Sequence, residues 1–285
     1  MIKQMQQIER AACIAALWAA AATVILPLLL LLSGSLMSDA EVAQAMGSVF
    51  SGDRSAEFFL FAQYPTLRGY LKLLLDSPEF FVMFWNSCKL TFPILAGQLF
   101  VAAPAAWGFA MYDFPAKKLL FTLYIALMLM PFQVTMVSNY VVLEQLSLLN
   151  TRWAIILPGI FSAFPVFIIC RFFQSVPRSL FDAAQLDGAG PWQIFWHIGL
   201  PLGAPGIASA AVLGFLEHWS AIEQPLTFLK DRWLWPLSLF SPGESAGQAA
   251  VSLAASAVTL LPPLLVFLMG KQYLKEGISA SGLKE

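Results

Sequence analysis

Long apolar stretches separated by short polar segments dominate the pattern along this chain. Each stretch is continuous, and a helix needs about 20 mainly apolar residues to cross about 30 Å of hydrocarbon. The strands of a β-barrel would instead alternate in segments of about 10 residues. The pattern therefore predicts an all-α chain with six membrane-spanning helices, at about residues 11–32, 90–111, 119–142, 153–173, 202–222 and 249–269.

The composition supports a location in the membrane. Lys and Arg number 16 and Asp and Glu number 17, so 33 of the 285 residues are charged, or 12%, and 59% are hydrophobic. Soluble domains are about 25% charged, and the hydrophobic content excludes intrinsic disorder. A net charge of −1 offers no basic surface to nucleic acid. The sequence therefore predicts a multi-pass protein of the cell membrane.

The Lys and Arg positions predict the orientation of the chain. With a cytoplasmic N-terminus, nine of the 16 basic residues lie inside, six lie outside and Lys89 lies at a boundary, which is the bias expected of cytoplasmic loops. Both termini are therefore predicted inside. The first apolar run is longer than the core of a signal peptide, about 7–15 residues, so we interpret it as a retained anchor.

This orientation gives a predicted domain layout. Residues 65–70, in the predicted external loop, have the pattern of a short surface helix that leads to the second span. The layout is a cytoplasmic N-terminus (1–10), the first span (11–32), an external loop (33–85), a core with five spans (86–271) and a cytoplasmic tail (272–285).

The cytoplasmic segment between the fourth and fifth spans, residues 176–201, has the pattern of two short helices joined by a tight turn. Pro177 suits a first helical position. Gly188 can take the left-handed conformation that ends a helix, and Pro191 then begins the second helix. We call residues 176–201 the two-helix segment.

Aromatic and small side chains suggest what the two-helix segment does. Trp192, Phe195 and Trp196 share one face by their i, i+3, i+4 spacing, and Ala183 and Ala184 remove bulk from the first helix. These features favour a rigid bracket that lies in a groove of a cytoplasmic partner and transmits its motion. An ordinary pair of interfacial helices, with aromatic side chains at the headgroup level, is the alternative.

Motifs of enzymes and metal sites are missing from the sequence. No G-x-x-x-x-G-K-[ST] loop, G-x-S-x-G or H-E-x-x-H occurs, and the three cysteines form no C-x-x-C. Titratable residues are nearly absent from the spans, where Glu217 is the one candidate. We therefore predict no catalytic residue, metal site or cofactor on this chain, and any energy that its function requires would come from another chain.

The spacing inside the two-helix segment carries a family resemblance. Asp182-Ala183-Ala184, three residues, Gly188, nine residues, Ile198, one residue and Leu200-Pro201 resemble the EAA loop of ABC-importer permeases. Asp182 replaces the usual Glu, which keeps the charge and shortens the reach by one methylene. The resemblance implies that eight residues of this segment couple the permease to its ATPase. They are Asp182, Ala183, Ala184, Asp187, Gly188, Ile198, Leu200 and Pro201.

The resemblance covers nearly the whole chain from Tyr64. Asn86-Ser87 is similar to the Asn-Ser that opens the permease core in carbohydrate importers. Residues 148–151, Leu-Leu-Asn-Thr, resemble the Leu-x-Asn-Thr part of a turn in that family. Residues 277–285 resemble the tail of the maltose-type second permease subunit. Ser220 stands where that subunit has Asn.

The resemblance implies the type I fold of ABC-importer permeases and the function of a permease subunit in an ATP-driven carbohydrate importer. It also implies three partners: a second, homologous permease, an ATPase dimer that binds ATP and Mg, and an extracytoplasmic solute-binding protein. The loop before the sixth span is implied to contact that binding protein, with a solvated turn as the alternative. The residues concerned are Ser241, Pro242, Gly243 and Glu244.

Polar side chains in or near the spans are candidates for the solute pathway, because sugars need hydrogen bonds and aromatic stacking. Helix–helix hydrogen bonds are the alternative for each. Prolines also predict kinks or breaks in spans three and four. The pathway candidates are Gln133, Ser138, Asn139, Glu217 and Trp219.

Other functions stay open. Within transport, the solute could be a polyol, a glycerol phosphate ester or an amino acid. A non-transporting membrane scaffold or receptor is the alternative from another class.

Overall fold

A computed structural model describes residues 2–51, 61–242 and 248–282 of the chain, and all regular structure in these ranges is helical. The α-helices are α1 Ile2–Gly34, α2 Asp39–Ser51, α3 Arg68–Asp76, α4 Pro78–Met111, α5 Lys117–Leu129, α6 Phe132–Gln145, α7 Trp153–Ile160, α8 Ala163–Ser175, α9 Arg178–Leu186, α10 Pro191–Ile194, α11 Leu200–Trp219, α12 Glu223–Phe228 and α13 Ala249–Gly282. A π-helical turn, Phe195–Gly199, joins α10 to α11, and short 3₁₀ turns lie at Arg232–Leu234 and Leu237–Leu239.

Five of the described helical stretches are long and apolar enough to cross a membrane, and a sixth is counted if the bent pair α5 and α6 forms one span. The number agrees with the six predicted spans. Residue contacts divide the chain into two compact units, residues 1–80 with 241–261 and residues 81–240 with 262–285.

The second span begins earlier than its hydrophobic pattern predicts. Helix α4 starts at Pro78 rather than near residue 90, so the end of the predicted external loop is helical. Pro78 suits a first helical position and Glu79 complements the positive end of the helix dipole. Asn86, Ser87 and Lys89 lower the local hydropathy, which placed the predicted boundary too late.

The third predicted span is bent rather than straight. Helices α5 and α6 meet at 99° across Met130 and Pro131, where a break was predicted from Pro131. Proline has no N–H to donate and restricts the residue before it to extended backbone, and Met130 is extended with ψ at 121°.

The fourth span is divided at Phe161 and Ser162 into α7 and α8. A break leaves backbone carbonyls without helical partners, and in a membrane each must be satisfied internally. The buried amide of Gln98 donates from Nε2 to the Gly159 carbonyl at 2.8 Å and lies 2.9 Å from His218 Nε2. Gln98 therefore connects α4 to the broken span and to the end of α11.

The closest helix pair in the second unit is α8 with α11. A Cβ built on Gly203 would lie 2.3 Å from the Phe173 ring, and one on Gly206 would lie 2.5 Å from Phe172. Phe173 is fully buried. The absence of side chains at Gly203 and Gly206 lets the phenylalanines of α8 reach the α11 backbone, as small residues do in membrane helix pairs.

The first unit contains polar contacts of α2 with α3 and with the residues that flank these helices. Lys72 forms an ion pair with Asp39 at 2.8 Å. The carboxylate of Glu41 accepts the backbone N–H groups of Ser38, Gln63 and Tyr64, at 2.9–3.0 Å. These hydrogen bonds, that of Ser38 first, hold the pKa of Glu41 below its ordinary value. The predicted surface helix is present as α3, which starts at Arg68.

Helix α13 continues past the predicted end of the sixth span. It runs from Ala249 to Gly282, so much of the predicted tail is helical, while residues 283–285 lie outside the described residues. In the second unit, Ser209 Oγ donates to the Tyr273 carbonyl at 2.8 Å. A Cβ on Gly270 would lie 2.3 Å from Val212, so α11 and the later part of α13 pack closely.

Candidate coupling segment and solute pathway

The turn of the two-helix segment has the predicted geometry. Gly188 is left-handed, with φ at +83°, and its N–H donates to the Gln185 carbonyl at 3.0 Å. The N–H of Ala189 donates to the Ala184 carbonyl, also at 3.0 Å. This pair of hydrogen bonds is the Schellman motif, which ends a helix at a left-handed glycine. Pro191 begins α10 as predicted.

The N-terminal boundary of the segment differs by one residue from the prediction. Pro177 is extended and precedes the first helical residue, Arg178, rather than being that residue. Asp113 lies near this end and forms an ion pair with Lys117 at 2.9 Å. The hydrogen bond from Lys117, and then its charge, hold the pKa of Asp113 below its ordinary value, with a smaller effect from Arg178.

The inner face of the two-helix segment is fixed to the core of the second unit. Phe181, Ile194 and Phe195 are buried. The ring of Trp107, on α4, lies 5.1 Å from that of Phe181 and 5.6 Å from that of Phe195, and it contacts Phe173 of α8 at 5.2 Å. Aromatic packing on Trp107 therefore attaches both short helices to the spans.

The predicted aromatic face is divided between the core and the surface. Phe195 is buried, whereas Trp192 and Trp196 are 69% and 59% exposed. Both tryptophan rings contact the Phe195 ring, at 6.0 and 5.6 Å. The π-helical turn starts at Phe195 and departs from the 3.6-residue period on which the shared face was predicted.

The outer face of the segment is exposed around the Asp182–Gly188 end. Asp182, Ala183, Asp187 and Gly188 are exposed, and Leu186 is 90% exposed. The other coupling candidates have a different setting: Ala184 is buried, Ile198 and Leu200 pack against the core, and Pro201 is exposed in the first turn of α11.

The Asn-Ser motif holds the segment that follows α12. The buried Asn86 donates from Nδ2 to the backbone carbonyls of Trp233 and Trp235, at 2.6 and 3.2 Å. The hydroxyl oxygen of Ser87 accepts the Leu237 N–H at 2.8 Å. The two side chains therefore fix residues 233–237 to α4.

The Asn-Thr turn holds the start of the same segment. Asn150 has a left-handed backbone, with φ at +59°, and its Oδ1 accepts the N–H groups of Lys230 and Asp231 at 2.9 and 2.8 Å. Its own N–H donates to the Phe228 carbonyl at 2.9 Å. Arg152 donates to Asn86 Oδ1 at 3.2 Å and so joins the two motifs. Sequence reasoning missed this shared role, because residues about 80 and 150 positions apart carry it.

Replacing Asn150 with alanine is expected to loosen residues 229–237. The change removes two hydrogen bonds, each contributing about 0.5–1.5 kcal/mol, and adds a left-handed penalty of about 1–2 kcal/mol. Amide hydrogen exchange in this segment should rise at least about tenfold. Asn150→Gly is the matched control, since glycine keeps the backbone conformation and should show a smaller rise. Unchanged exchange in the alanine variant would contradict this role.

The pathway candidates have different settings. Gln133 is exposed and donates from Nε2 to both carboxylate oxygens of Glu223 at 2.7 Å. Ser138 and Glu217 are exposed, and Asn139 is half-buried. Trp219 is buried, and its ring stacks on Phe215 at 5.2 Å. The structure thus pairs Gln133 with Glu223, which the sequence did not indicate as a candidate for the solute pathway.

The predicted binding-protein loop lies partly outside the described residues. Ser241 and Pro242 are described, and Gly243 and Glu244 are not. The assignment of these four residues stays a prediction.

These features together define a transporter subunit: a chain of five or six membrane helices with an exposed two-helix segment fixed between two spans. The chain belongs to the family described as the binding-protein-dependent transport system inner membrane component, which matches residues 98–274, more than half of the chain. The predicted membrane location and the prediction of a permease rather than an enzyme are confirmed.

Individual relatives agree with this family. The chain is 28% identical to the arabinooligosaccharides transport system permease protein AraQ of Halalkalibacterium halodurans, over 77% of this chain and 80% of that protein. It is 29% identical to the sn-glycerol-3-phosphate transport system permease protein UgpE of Yersinia pestis, over 71% and 74%.

A solved structure confirms the fold. The chain superposes on a bacterial ABC transporter involved in the import of the acidic polysaccharide alginate with a TM-score of 0.78, covering 94% of this chain and 96% of the other. The sequence identity is 20%. The predicted type I importer permease fold is therefore confirmed, including the part of the chain before the family match.

Proposed function

We propose that this chain is one of two permease subunits in an ATP-driven carbohydrate importer. The observation that carries the proposal is the exposed outer face around Asp182, Leu186 and Asp187, on a segment whose inner face is fixed to the spans. A membrane permease that lacks a nucleotide-binding motif needs such a surface to receive work from an ATPase. The partners would be a second, homologous permease, an ATPase dimer that holds ATP and Mg, and an extracytoplasmic solute-binding protein.

Coupling would pass from the two-helix segment into α11. Residues 191–219 are helical throughout, as α10, the π-helical turn and α11, so a displacement of α10 moves α11 with it. Helix α11 packs on α8 at Gly203 and Gly206, so both spans would move together. In this proposal the carboxylates of Asp182 and Asp187 contact the ATPase, and Gly188 sets the angle between α9 and α10.

The proposed orientation places the two-helix segment and both termini in the cytoplasm. Residues 220–248 would then face the outside, where Ser241, Pro242, Gly243 and Glu244 would meet the solute-binding protein. The network of Asn86, Asn150 and Arg152 would hold the neighbouring residues 229–237 in place beneath that protein.

A carbohydrate is the solute that the sequence supports best. Similarity to an arabinooligosaccharide permease supports it, and the amide, hydroxyl and carboxylate groups among the pathway candidates can bond to sugar hydroxyls. Similarity to a glycerol-3-phosphate permease supports a glycerol phosphate ester as the second candidate. The pathway candidates include no Lys or Arg to bind a phosphate, which favours the sugar.

Uptake by the assembled importer in proteoliposomes distinguishes the two candidate solutes. With a loaded binding protein outside and ATP inside, an unlabelled neutral oligosaccharide should compete with labelled sugar, whereas sn-glycerol-3-phosphate should not. Accumulation of labelled glycerol-3-phosphate with no uptake of any sugar would overturn the carbohydrate assignment and leave the importer assignment standing.

A further inference from the structure

The hydrogen-bonded pair Gln133 and Glu223 is an unusual feature of the membrane region. Both side chains are exposed, and the amide of Gln133 donates to both carboxylate oxygens of Glu223 at 2.7 Å. Gln133 follows the break between α5 and α6, and Glu223 is the first residue of α12. In a chain with so few charges near its spans, an exposed carboxylate at this place requires a physical reason.

Helix lengths place the pair within the depth of the bilayer. Helix α5 has 13 residues from Lys117 to Leu129, about 20 Å at 1.5 Å per residue, and the hydrocarbon is about 30 Å thick. For a helix that begins at the membrane face and runs along the membrane normal, the break after α5 lies inside the hydrocarbon. Helix α12 is attached there, because Phe228 contacts Phe132 at 5.8 Å between ring centroids and Thr227 contacts Met136 Sδ at 3.7 Å.

An ionised carboxylate at this depth is costly unless it faces water or protein. The neighbouring helix surfaces differ in a way that fits this requirement. The exposed residues of α5 include Leu119, Leu123 and Leu127, side chains suited to lipid. On α6, Gln133 and Ser138 are exposed on one stripe with Val134, Val137 and Val141. Gln133 and Ser138 make this stripe of α6 more polar than the leucine surface of α5, which suits contact with water or protein rather than with lipid.

No cation neutralises Glu223 among the described residues. Neither of the two ion pairs found in those residues includes it. The arginines of nearby elements have other contacts: Arg152 donates to Asn86, and Arg232 lies over the Trp235 ring at 5.3 Å. The hydrogen-bond partner of Glu223 is the amide of Gln133, a neutral group that brings no positive charge to the carboxylate.

We propose that Gln133 and Glu223 line the solute pathway and select uncharged, hydroxyl-bearing solutes over anionic ones. The Gln133 carbonyl and the remaining lone pairs of Glu223 can accept hydrogens from solute hydroxyls, while the carboxylate repels a phosphate or a uronate. This inference rests on the proposed function and narrows its solute to neutral sugars. Glu223 acts here as a specificity residue with no chemical step.

The test uses thiol reagents of opposite charge on the assembled importer in membrane vesicles. Cys13, Cys88 and Cys170 are first replaced by alanine, and Gln133→Cys is introduced. Cationic and anionic methanethiosulfonate reagents should both modify residue 133, the cationic one faster. Adding Glu223→Gln should lower the ratio of the two rates by about two- to sevenfold, the range from the screened to the unscreened interaction with one charge about 7 Å away in water.

Two further variants make the result decisive. Leu123→Cys, on the leucine surface of α5, should react with neither reagent. Ser138→Cys leaves the pair intact and should show a smaller dependence of the same sign on Glu223 if Gln133→Cys does not assemble. If the reagents modify Gln133→Cys as slowly as Leu123→Cys, the pathway assignment is overturned. A rate ratio unchanged by Glu223→Gln would overturn the charge selection. ATP-driven sugar uptake by the importer with the unaltered chain would, in either case, leave the proposed function standing.

Discussion

Replacing Gly188 with valine is expected to lower ATP-driven uptake strongly while the membrane helices still assemble. Gly188 has φ at +83°, and a Cβ placed there would meet no atom within 4 Å. The effect of the substitution is therefore conformational strain rather than a clash. A left-handed L-residue costs about 1–2 kcal/mol, a factor of about 5–30 in the population of the native turn, and a β-branched side chain is disfavoured further.

Uptake should fall at least about tenfold in the Gly188→Val importer, and its ATPase activity should no longer respond to loaded binding protein. Gly190→Ala is the matched control two residues away, because Gly190 has φ at −72° and the nearest atom to an added Cβ is at 3.7 Å. It should transport like the unaltered chain. Normal uptake by the Gly188→Val importer would show that the left-handed turn at Gly188 is not needed for coupling.

The second large effect is expected from Gly203→Ala, which should destabilise the helix pair α8 and α11. The added methyl group would lie 2.3 Å from the ring of Phe173, which is fully buried and packs on Trp107. Overpacking of this kind costs about 1–3 kcal/mol and sometimes more. The midpoint of thermal unfolding of the purified importer in detergent should fall.

Gly108→Ala on α4 is the control for this change. A Cβ at Gly108 meets nothing within 4 Å, so the variant reports only the higher helix propensity of alanine, about 1 kcal/mol. A midpoint for Gly203→Ala as high as that of Gly108→Ala would show that the close approach of α8 and α11 is not needed for stability.

Local signals predicted part of this fold well. The first span and the number of spans follow from uninterrupted apolar residues, and Pro131 predicted the break in the third span. The 99° angle at that break could not be predicted, because it depends on packing with helices distant in sequence. Helix α4 begins about 12 residues before its predicted start, because Asn86 and Ser87 look like loop residues until their hydrogen bonds to residues 233–237 are known.

The candidate sites likewise combine features that the local sequence predicts with features that depend on residues distant in the chain. Gly188 and Pro191 have local conformational preferences that predict the turn of the two-helix segment. The burial of Phe195 between exposed Trp192 and Trp196 depends on packing against Trp107, 88 positions earlier in the chain, which no local residue pattern indicates. The pairing of Gln133 with Glu223 joins residues 90 positions apart, so one sequence without the fold could not reveal it.

The most direct test of this account measures the coupling of solute to ATP in proteoliposomes. The chain, its permease partner and the ATPase dimer are reconstituted with loaded binding protein outside, and uptake and ATP hydrolysis are followed together. We expect loaded binding protein to stimulate hydrolysis and solute to accumulate only when ATP is present inside. Accumulation by this chain alone, without ATP or an ATPase partner, would contradict the account.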